Sequence, residues 1–523
     1  MSRAPAFRRY GWRDAAALAI LAALVGALLV TPIGRLPVVM WDEARLSINA
    51  LEMLRTGHLL VPTFHGQPDL WNPKPPLATW LAASSMWLFG ASEITLRLPS
   101  MLAGTATVAA VYLFTRWASA SRATGLLAAM ILLGTGGYVE AHVALTADPD
   151  SLLVLFLTIA SFALFRAVDE RDTDRSARWV YVSAGAFACA LLTKGAAALL
   201  ILPGYALALV ALGAMGRILW RRSIWLAAGL VVLVAAIYWG AAQAAHPGYV
   251  PAAWRLDVAG RLTSVAPGFS KPWTYYLVEL VRPWQAAPLR GLDDLMYSAS
   301  AFPWSLAVPI LALVAIIGAP GRARAATIFC VATLVGLIAA LSAAVTRVPW
   351  YIAPAYPLIA TITALGAGSL SPLLRSSRNP SVRVTAMAVM PAAFAAVLVC
   401  IGFAALKTEQ EIASAATSRD ERLPALLRSL PAQLLDNREV IVISDAQWKE
   451  PGSWKDGVAT YEPYDGPVEF YVRALRNRGA DIRIVRRRVQ PRHGQLVLGC
   501  GSARADAAVL FNSGECAAIA PSD

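Results

Sequence analysis

The sequence predicts a mainly α-helical membrane protein that crosses the bilayer about 11–13 times and carries a small C-terminal α/β domain. Of its 523 residues, 57% are hydrophobic and 15% are charged, whereas about 25% of residues are charged in typical soluble domains. The mean hydropathy is +0.54. These values exclude a soluble globular enzyme, a disordered chain and a disulfide-rich scaffold.

Eleven apolar runs approach the length of about 20 residues that a helix needs to cross the hydrocarbon core. We expect spans near 15–33, 97–116, 122–139, 149–168, 177–192, 194–213, 223–244, 302–318, 324–344, 349–369 and 383–405. The segment 273–290 has room for a further pair of short or re-entrant helices. No A-x-A-like cleavage site follows the first run, which favours a retained signal anchor over a cleaved signal peptide.

The basic residues indicate the orientation of the chain. The net charge is +13, but the basic residues form no single patch or stripe, so nucleic-acid binding is not expected. They lie in the N-terminal tail and in alternate short loops, which predicts a cytoplasmic N-terminus in the inner (plasma) membrane. This topology places three long segments on the periplasmic side, at 34–96, 245–301 and 406–523.

We expect two domains, a transmembrane domain at 1–405 with interfacial helices in its outer loops and a soluble periplasmic α/β domain at 406–523. The second domain has apolar alternation at Glu439–Ser444, a helical stretch near 467–478 and a strand-like run at Asp481–Val485. Such a mixture of strand and helix patterns is typical of a small α/β unit.

Cysteines and histidines give no firm site. Cys500 and Cys516 lie in the oxidising outer compartment, but sequence leaves open whether they form a disulfide. His58, His65 and His142 are also outside, and they form no convincing zinc set. The sequence therefore requires no metal or other cofactor, although an incidental metal stays open.

The first outer loop concentrates charge near the membrane. Asp42, Glu43 and Arg45 begin a stretch with helical periodicity, which predicts an amphipathic helix at the interface. The apolar positions at this spacing are Leu46, Ala50, Met53 and Leu54. Asp42 and Arg45 share a face of this helix, as an ordinary surface ion pair or as part of a site.

Two further outer positions have competing interpretations. Lys74 lies between prolines in Pro73-Lys-Pro-Pro76, and a cation on so rigid a loop suits a phosphate. The alternative is a lysine that snorkels to the interface. Asp148 precedes a span, where it serves either as a helix N-cap or in a functional role.

The later outer loops carry cations among aromatic residues. The cations are Arg255, Arg261, Lys271, Arg282 and Arg347, and the aromatic residues are Trp254, Trp273, Tyr275, Tyr276, Trp284 and Tyr351. An interfacial aromatic belt with snorkelling arginines explains most of them and still leaves one arginine for anion binding. Carboxylates and cations gathered at one membrane face suit an enzyme that handles an amphiphilic phosphate.

These motifs resemble a known family. Together they are similar to the polyprenyl-phosphate-dependent glycosyltransferases of the C-type membrane fold, in particular the lipid A aminoarabinose transferases and the protein O-mannosyltransferase superfamily. The likeness covers most of 35–370. The matching stretches are Trp41–Arg45, Asn72–Leu77, Phe89-Gly90, Arg97–Ser100, Asp148–Leu152, Leu192–Gly195 and Arg347–Pro357.

The resemblance implies roles for individual residues. Asp42 would be catalytic, with Glu43 and Arg45 in the same motif. Lys74 would bind the lipid phosphate together with Arg261, for which Arg255 and Arg282 remain rivals. The other residues that the resemblance places at the cavity are Arg347 and Tyr351, with Asp148, Lys194 and Tyr275 as further candidates.

The resemblance also implies the reaction. The donor would be a sugar on a polyprenyl monophosphate of the undecaprenyl type, transferred by inverting displacement. The acceptor would be an envelope lipid or glycan, such as lipid A, at the periplasmic face.

Two rival functions remain. A transporter or flippase of lipid-linked sugars would often show inverted repeats and ionisable residues at the midplane, and neither is evident. A non-catalytic scaffold would leave the combination of Asp42 and Lys74 unexplained.

Overall fold

The computed structural model describes residues 12–263, 271–279, 304–415, 418, 420–444, 448–455, 458–486, 489–501 and 507–521. The described helices up to residue 279 are α1 (Trp12–Val25), α2 (Asp42–Thr56), α3 (Leu77–Phe89), α4 (Glu93–Ser119), α5 (Arg122–Leu133), α6 (Gly136–Val139), α7 (Asp150–Asp169), α8 (Thr173–Lys194), α9 (Leu202–Ala211), α10 (Met215–Leu219), α11 (Arg222–Ala245), α12 (Tyr249–Ala253), α13 (Gly260–Thr263) and α14 (Tyr275–Glu279). They are followed by α15 (Trp304–Gly318), α16 (Gly321–Ala343), α17 (Tyr356–Arg375), α18 (Pro380–Ala415), α19 (Arg422–Ser429) and α20 (Gly466–Asn477).

Shorter elements complete the described chain. Turns of 3₁₀ or π helix lie at Gly26–Val30, Gly195–Ile201, Trp254–Ala259, Pro349–Ala355 and Ala432–Leu434. The strands are β1 (Thr63–Phe64), β2 (Gln67–Pro68), β3 (Glu439–Ile443), β4 (Trp448–Lys455), β5 (Val458–Tyr464), β6 (Ile482–Val485), β7 (Gln495–Cys500), β8 (Ala507–Ser513) and β9 (Cys516–Pro521).

The apolar helices confirm a multi-pass membrane protein. Within the described residues, seven helical stretches are long and apolar enough to cross a bilayer. Eight of the predicted spans fall on them, because Thr173–Ala211 contains two. The predicted spans near 15–33, 122–139 and 302–318 fall instead on shorter apolar helices.

A helix break lies at Lys194-Gly195, inside a stretch that resembles the family. Helix α8 ends at Lys194, and Gly195 has a φ of +54°, which a side chain would strain. The chain continues as a 3₁₀ turn before α9 begins at Leu202. Lys194 at the break is buried and pairs with Asp150, the first residue of α7.

Small residues let two membrane helices approach closely. A Cβ built on Gly204 of α9 would lie 2.4 Å from the carbonyl oxygen of Thr333, and one on Gly336 of α16 would lie 2.3 Å from the Cα of Gly204. Close backbone approach through glycine is typical of helix packing in membranes, where dispersion contacts replace the hydrophobic effect.

The C-terminal region is the expected small α/β unit. Its five-stranded sheet has the order β6-β3-β7-β9-β8, with β3 parallel to β6 and β7 and the remaining pairs antiparallel. Strands β3 and β6 and helix α20 occupy the three stretches that the sequence singled out. Cys500 of β7 pairs in register with Cys516 of β9, and a disulfide joins them.

The prediction of an amphipathic interfacial helix after Trp41 is wrong in one respect. Helix α2 is buried at every position from Glu43 to Met53, polar and apolar alike. One core cluster includes apolar residues of α2, α3 and the C-terminal sheet, so α2 lies enclosed between them. Periodicity alone does not reveal this, because the polar face is covered by other charged groups of the chain.

Candidate active site

Asp42 and Lys74 meet although they are 32 positions apart in the chain. Asp42 is the first residue of α2, and Lys74 lies on the proline-rich segment just before α3. The Lys74 Nζ donates to Asp42 Oδ1 at 3.2 Å, and the two side chains stay 19% and 28% exposed. A partly open ion pair of this kind can still reach a ligand.

The charges around this pair shift both pKa values. Burial opposes ionisation of Asp42, but Lys74, Lys194 and His142 outweigh it and hold the pKa of the carboxyl well below its usual range. Burial likewise opposes the ammonium of Lys74, while Asp42 and further anionic groups raise its pKa above the usual range. Both groups are therefore charged at neutral pH.

Three more of the predicted residues, Lys194, Arg261 and Tyr351, lie near this pair. Lys194 Nζ donates to both oxygens of Asp150 at 2.6 Å, and both side chains are buried. The ring of Tyr351 lies 4.9 Å from Lys194 Nζ and 5.7 Å from the guanidinium carbon of Arg261. Tyr351 thus brings Lys194 and Arg261 to one aromatic surface.

His142 is a residue of this site to which sequence reasoning gave no role. Its φ is +70°, its ring stacks on Trp350 at 3.9 Å between centroids, and its Nδ1 lies 3.5 Å from Asp148 Oδ1. Burial lowers the pKa of His142, but Asp148 and Asp42 outweigh it and raise the pKa to about 9. The only sequence signal was its place in an outer loop six positions before Asp148.

Asp148 is not the N-cap of the following helix. The cap position of α7 is Pro149, and among the described residues no side chain caps this helix end. The carboxylate of Asp148 instead accepts from the hydroxyl of Thr146, while its Oδ1 has no hydrogen-bond partner in the part of the chain that the structure describes. The N-cap interpretation is therefore wrong, and the carboxylate faces His142 instead.

Among the described residues, one group has the geometry to hold a metal ion. Asp42, His142 and Asp148 each offer a ligand atom within 4.8 Å of the others. Lys74 already neutralises Asp42 there, which makes a further cation electrostatically unfavourable. That no metal is required stays a prediction from the sequence.

Glu43 and Arg45 lie in separate buried ion pairs. Glu43 accepts from Arg97 Nε at 2.6 Å and Nη2 at 2.7 Å, and both side chains are 1% exposed. Arg45 donates through Nε to Asp69 at 2.7 Å, with 4% and 0% exposure. The alternative of a surface ion pair between Asp42 and Arg45 is therefore wrong, because Asp42 pairs with Lys74 and Arg45 pairs with Asp69.

The remaining candidates lie around the Thr346–Tyr351 turn or farther out. Arg347 donates to the carbonyl oxygens of Lys271 at 2.5 Å and Ser342 at 2.8 Å. Tyr275 packs edge-on against Tyr276, whose hydroxyl donates to the carbonyl oxygen of Val348. The rival cation Arg255 is exposed, and Arg282 lies outside the described residues.

A large apolar cavity lies beside these charges. It has a volume of about 680 Å³ and lies between α8, α9, α11 and the turn at Trp254–Ala259. Gly195 lines its wall, and a Cβ on Gly195 would lie 3.5 Å from Pro75 Cδ in the Lys74 loop. Asp257 is a charged residue of the lining, where burial raises its pKa against the opposing effect of Lys74 and Arg261.

Similarity to solved structures identifies the fold. The structure of ArnT from Cupriavidus metallidurans bound to undecaprenyl phosphate matches with a TM-score of 0.65 over 98% of both chains, at 15% identity. The apo structure of the same protein matches with a TM-score of 0.64 at 14% identity, over 97% of this chain and 98% of that one. The chain has the C-type glycosyltransferase fold. This confirms the predicted fold class.

Sequence comparison confirms the resemblance to polyprenyl-phosphate-dependent glycosyltransferases. The family described as dolichyl-phosphate-mannose-protein mannosyltransferase matches residues 73–239. The undecaprenyl phosphate-α-4-amino-4-deoxy-L-arabinose arabinosyl transferase of Shewanella sediminis is 29% identical over 49% of this chain and 45% of its own length. The protein of the same description from Erwinia tasmaniensis is 30% identical over 31% of this chain and 28% of its own length.

The sequence matches, unlike the structural ones, cover only part of this chain. The chain spans about half the length, 45%, of the Shewanella sediminis protein. The family match begins at residue 73 and therefore includes Lys74, His142, Asp148 and Lys194, but not Asp42.

Proposed function

We propose that the chain is an integral-membrane glycosyltransferase that moves a sugar from a polyprenyl monophosphate to an envelope acceptor at the periplasmic face. The observation that carries this proposal is the partly exposed ion pair of Asp42 and Lys74 beside a large apolar cavity. A lipid donor needs both features, a cation for its phosphate and an apolar surface for its chain.

The cavity suits the polyprenyl chain. Its lining is almost wholly apolar, and its wall at Gly195 touches the loop that carries Lys74. A phosphate at Lys74 would therefore have its isoprenoid chain beginning in this cavity. The relative of known structure was solved with undecaprenyl phosphate, which supports a donor of the same class here.

The cations suit the chemistry of the leaving group. When the bond from the anomeric carbon to the phosphate oxygen breaks, negative charge develops on the departing phosphate. Lys74 and Arg261 would stabilise that charge, and preorganised donors in a water-poor site are most effective for this. One displacement by the acceptor oxygen inverts the configuration at the anomeric carbon.

Asp42 would orient the acceptor and, for a hydroxyl acceptor, take its proton. Its depressed pKa makes it a weak base while Lys74 is its partner. A donor phosphate that draws Lys74 away would leave Asp42 with less positive charge nearby and raise its pKa. Donor binding would then activate the base only when there is a sugar to transfer.

The proposed acceptor class rests on the family resemblance of the sequence motifs. The names of two similar proteins specify an aminoarabinose donor on undecaprenyl phosphate. These names state no acceptor, so the lipid A-type acceptor that we propose comes from the motif resemblance, and no residue in the described site identifies the sugar.

The test uses the full-length protein in nanodiscs with an undecaprenyl-phosphate sugar and an extracted envelope lipid. Asp42→Asn and Lys74→Ala should each lower transfer at least about a hundredfold, since removing one preorganised group costs about 10²–10³ in kcat. The matched controls Glu409→Gln and Arg35→Ala break an exposed ion pair and should be fully active. Full activity of both site variants would refute the assignment.

A second experiment distinguishes a glycosyltransferase from a transporter of lipid-linked sugars. Mass spectrometry of envelope lipids, with and without the gene, should show one species that gains a sugar mass only when Asp42 is intact. Loss of lipid-linked sugar from the outer leaflet, restored equally by Asp42→Asn, would favour a flippase instead.

A further inference from the structure

The residue before Asp42 has an unusual backbone conformation. Trp41 has a φ of +75° and a ψ of −112°, a region that residues with a Cβ rarely adopt. Such strain persists only where the surrounding structure holds it, and it concentrates at functional sites. Since Asp42 follows directly, the direction of its side chain depends on how Trp41 is held.

Tyr464 of the C-terminal domain holds Trp41. Its hydroxyl donates to the carbonyl oxygen of Trp41 at 3.0 Å, and its ring stacks on the indole at 5.2 Å between centroids with an angle of 17°. Tyr464 is 1% exposed, so this contact lies in the core. The same carbonyl oxygen accepts from the amide of Arg45 at 2.9 Å and so begins α2.

The first turn of α20 packs closely against the first turn of α2. Gly466 begins α20, and a Cβ built on it would lie 2.9 Å from Ala44 Cβ and 2.7 Å from Tyr464 Oη. The glycine therefore lets the domain reach the first turn of α2 at the point where Asp42 leaves it.

Further contacts fix the domain on both sides of this point. Arg473 donates to Glu52 at 2.8 Å near the end of α2. Tyr471 accepts from the amide of Val38 at 3.0 Å and donates to Glu93 at 2.7 Å. The contact of Tyr464 is thus one of several hydrogen bonds that join the C-terminal domain to α2 and its neighbours.

We propose that Tyr464 is a positioning residue for the transfer reaction, through which the C-terminal domain keeps Trp41 strained and Asp42 directed at Lys74. This inference rests on the proposed function. Without the hydroxyl, Trp41 relaxes and Asp42 moves, and a displacement of about 1 Å in an active site can cost about a hundredfold in rate.

The test compares two hydroxyl deletions at one junction in the full-length protein. Tyr464→Phe keeps the ring but loses the bond to Trp41, whereas Tyr471→Phe loses bonds that do not reach Trp41. Tyr464→Phe should lower kcat at least about tenfold, leave the donor KM unchanged and speed amide hydrogen exchange at residues 42–45. Tyr471→Phe should lower the melting temperature similarly but change neither kcat nor that exchange.

The outcomes are separable. Wild-type exchange at residues 42–45 in Tyr464→Phe, or a rate no lower than that of Tyr471→Phe, would overturn the inference. If Tyr464→Phe does not fold, Gly466→Ala disturbs the same contact and should give the same two changes. If the wild-type protein transfers no sugar, the proposed function fails, and the exchange comparison still decides whether Tyr464 holds this segment.

Discussion

Replacing Glu43 by glutamine tests whether this residue supports the fold or takes part in catalysis. The sequence motif made it a companion of Asp42, but the structure gives it four hydrogen bonds inside the protein. Each oxygen accepts one bond from Arg97, and the amides of Ala147 and Val39 donate to Oε1 and Oε2, respectively, at 2.8 Å. We therefore expect a structural role.

The size of the effect follows from these bonds. Whichever oxygen of Glu43 becomes an amide nitrogen, one Arg97 bond and one backbone bond are lost, and each unsatisfied donor costs about 1–3 kcal/mol. Arg97 keeps three backbone carbonyl partners, so its charge stays partly compensated. Breaking a buried ion pair costs about 3–5 kcal/mol, a large share of the usual 5–15 kcal/mol of total stability.

The assay is thermal unfolding of the full-length protein in detergent, followed by transfer measured well below the melting temperature. Glu43→Gln should melt markedly lower than the wild type, whereas Asp42→Asn, at a partly exposed position, should melt close to it. Normal melting of Glu43→Gln together with loss of transfer would refute the structural assignment and restore the catalytic one.

Three further outcomes are expected. Burial lowers the pKa of His142, but Asp148 outweighs this effect and raises the pKa to about 9. The stability that the charged imidazole contributes is therefore complete below about pH 6.5 and is lost as the pH rises through about 9. The fall of the melting temperature between about pH 6 and about pH 10 should be smaller in His142→Gln. Lys194→Met leaves the buried Asp150 unpaired and should cost about 3–5 kcal/mol, which the added change Asp150→Asn should largely restore in unfolding experiments. Reducing the disulfide of Cys500, which closes a loop of 16 positions, should cost about 3 kcal/mol and speed proteolysis of the C-terminal domain.

The fold was largely accessible from the sequence because membrane spans depend on composition. Most predicted spans fall on long apolar helices, and the three C-terminal stretches form the expected strands and helix. The apolar run after Arg122 is different, since α5 ends at Leu133 and a separate turn begins at Gly136. There Gly137 packs so closely on Tyr356 that a Cβ built on the glycine would lie 2.3 Å from the tyrosine hydroxyl. Hydropathy cannot predict this contact, because it depends on the tertiary structure.

The site was accessible only in part, because ion pairing between distant positions leaves no pattern in the sequence. Spacing along one helix suggested that Asp42 and Arg45 were partners, yet Arg45 pairs with Asp69, which carried no signal of its own. Glu43 likewise pairs with Arg97, 54 positions away. The structure brings the motif residues Asp42 and Lys74 together, while the pairing of the other charges depends on the tertiary structure.

Exposure separates the pairs that support the scaffold from the pair that can exchange partners. In the pairs Glu43–Arg97, Arg45–Asp69 and Asp150–Lys194, every side chain is between 0% and 7% exposed, so each charge needs its present partner. Asp42 and Lys74 are 28% and 19% exposed at a longer distance of 3.2 Å. A phosphate can therefore replace Asp42 as the partner of Lys74 without leaving a buried charge uncompensated. The same exchange would raise the pKa of Asp42, so one ion pair would serve both to recognise the donor and to activate the base.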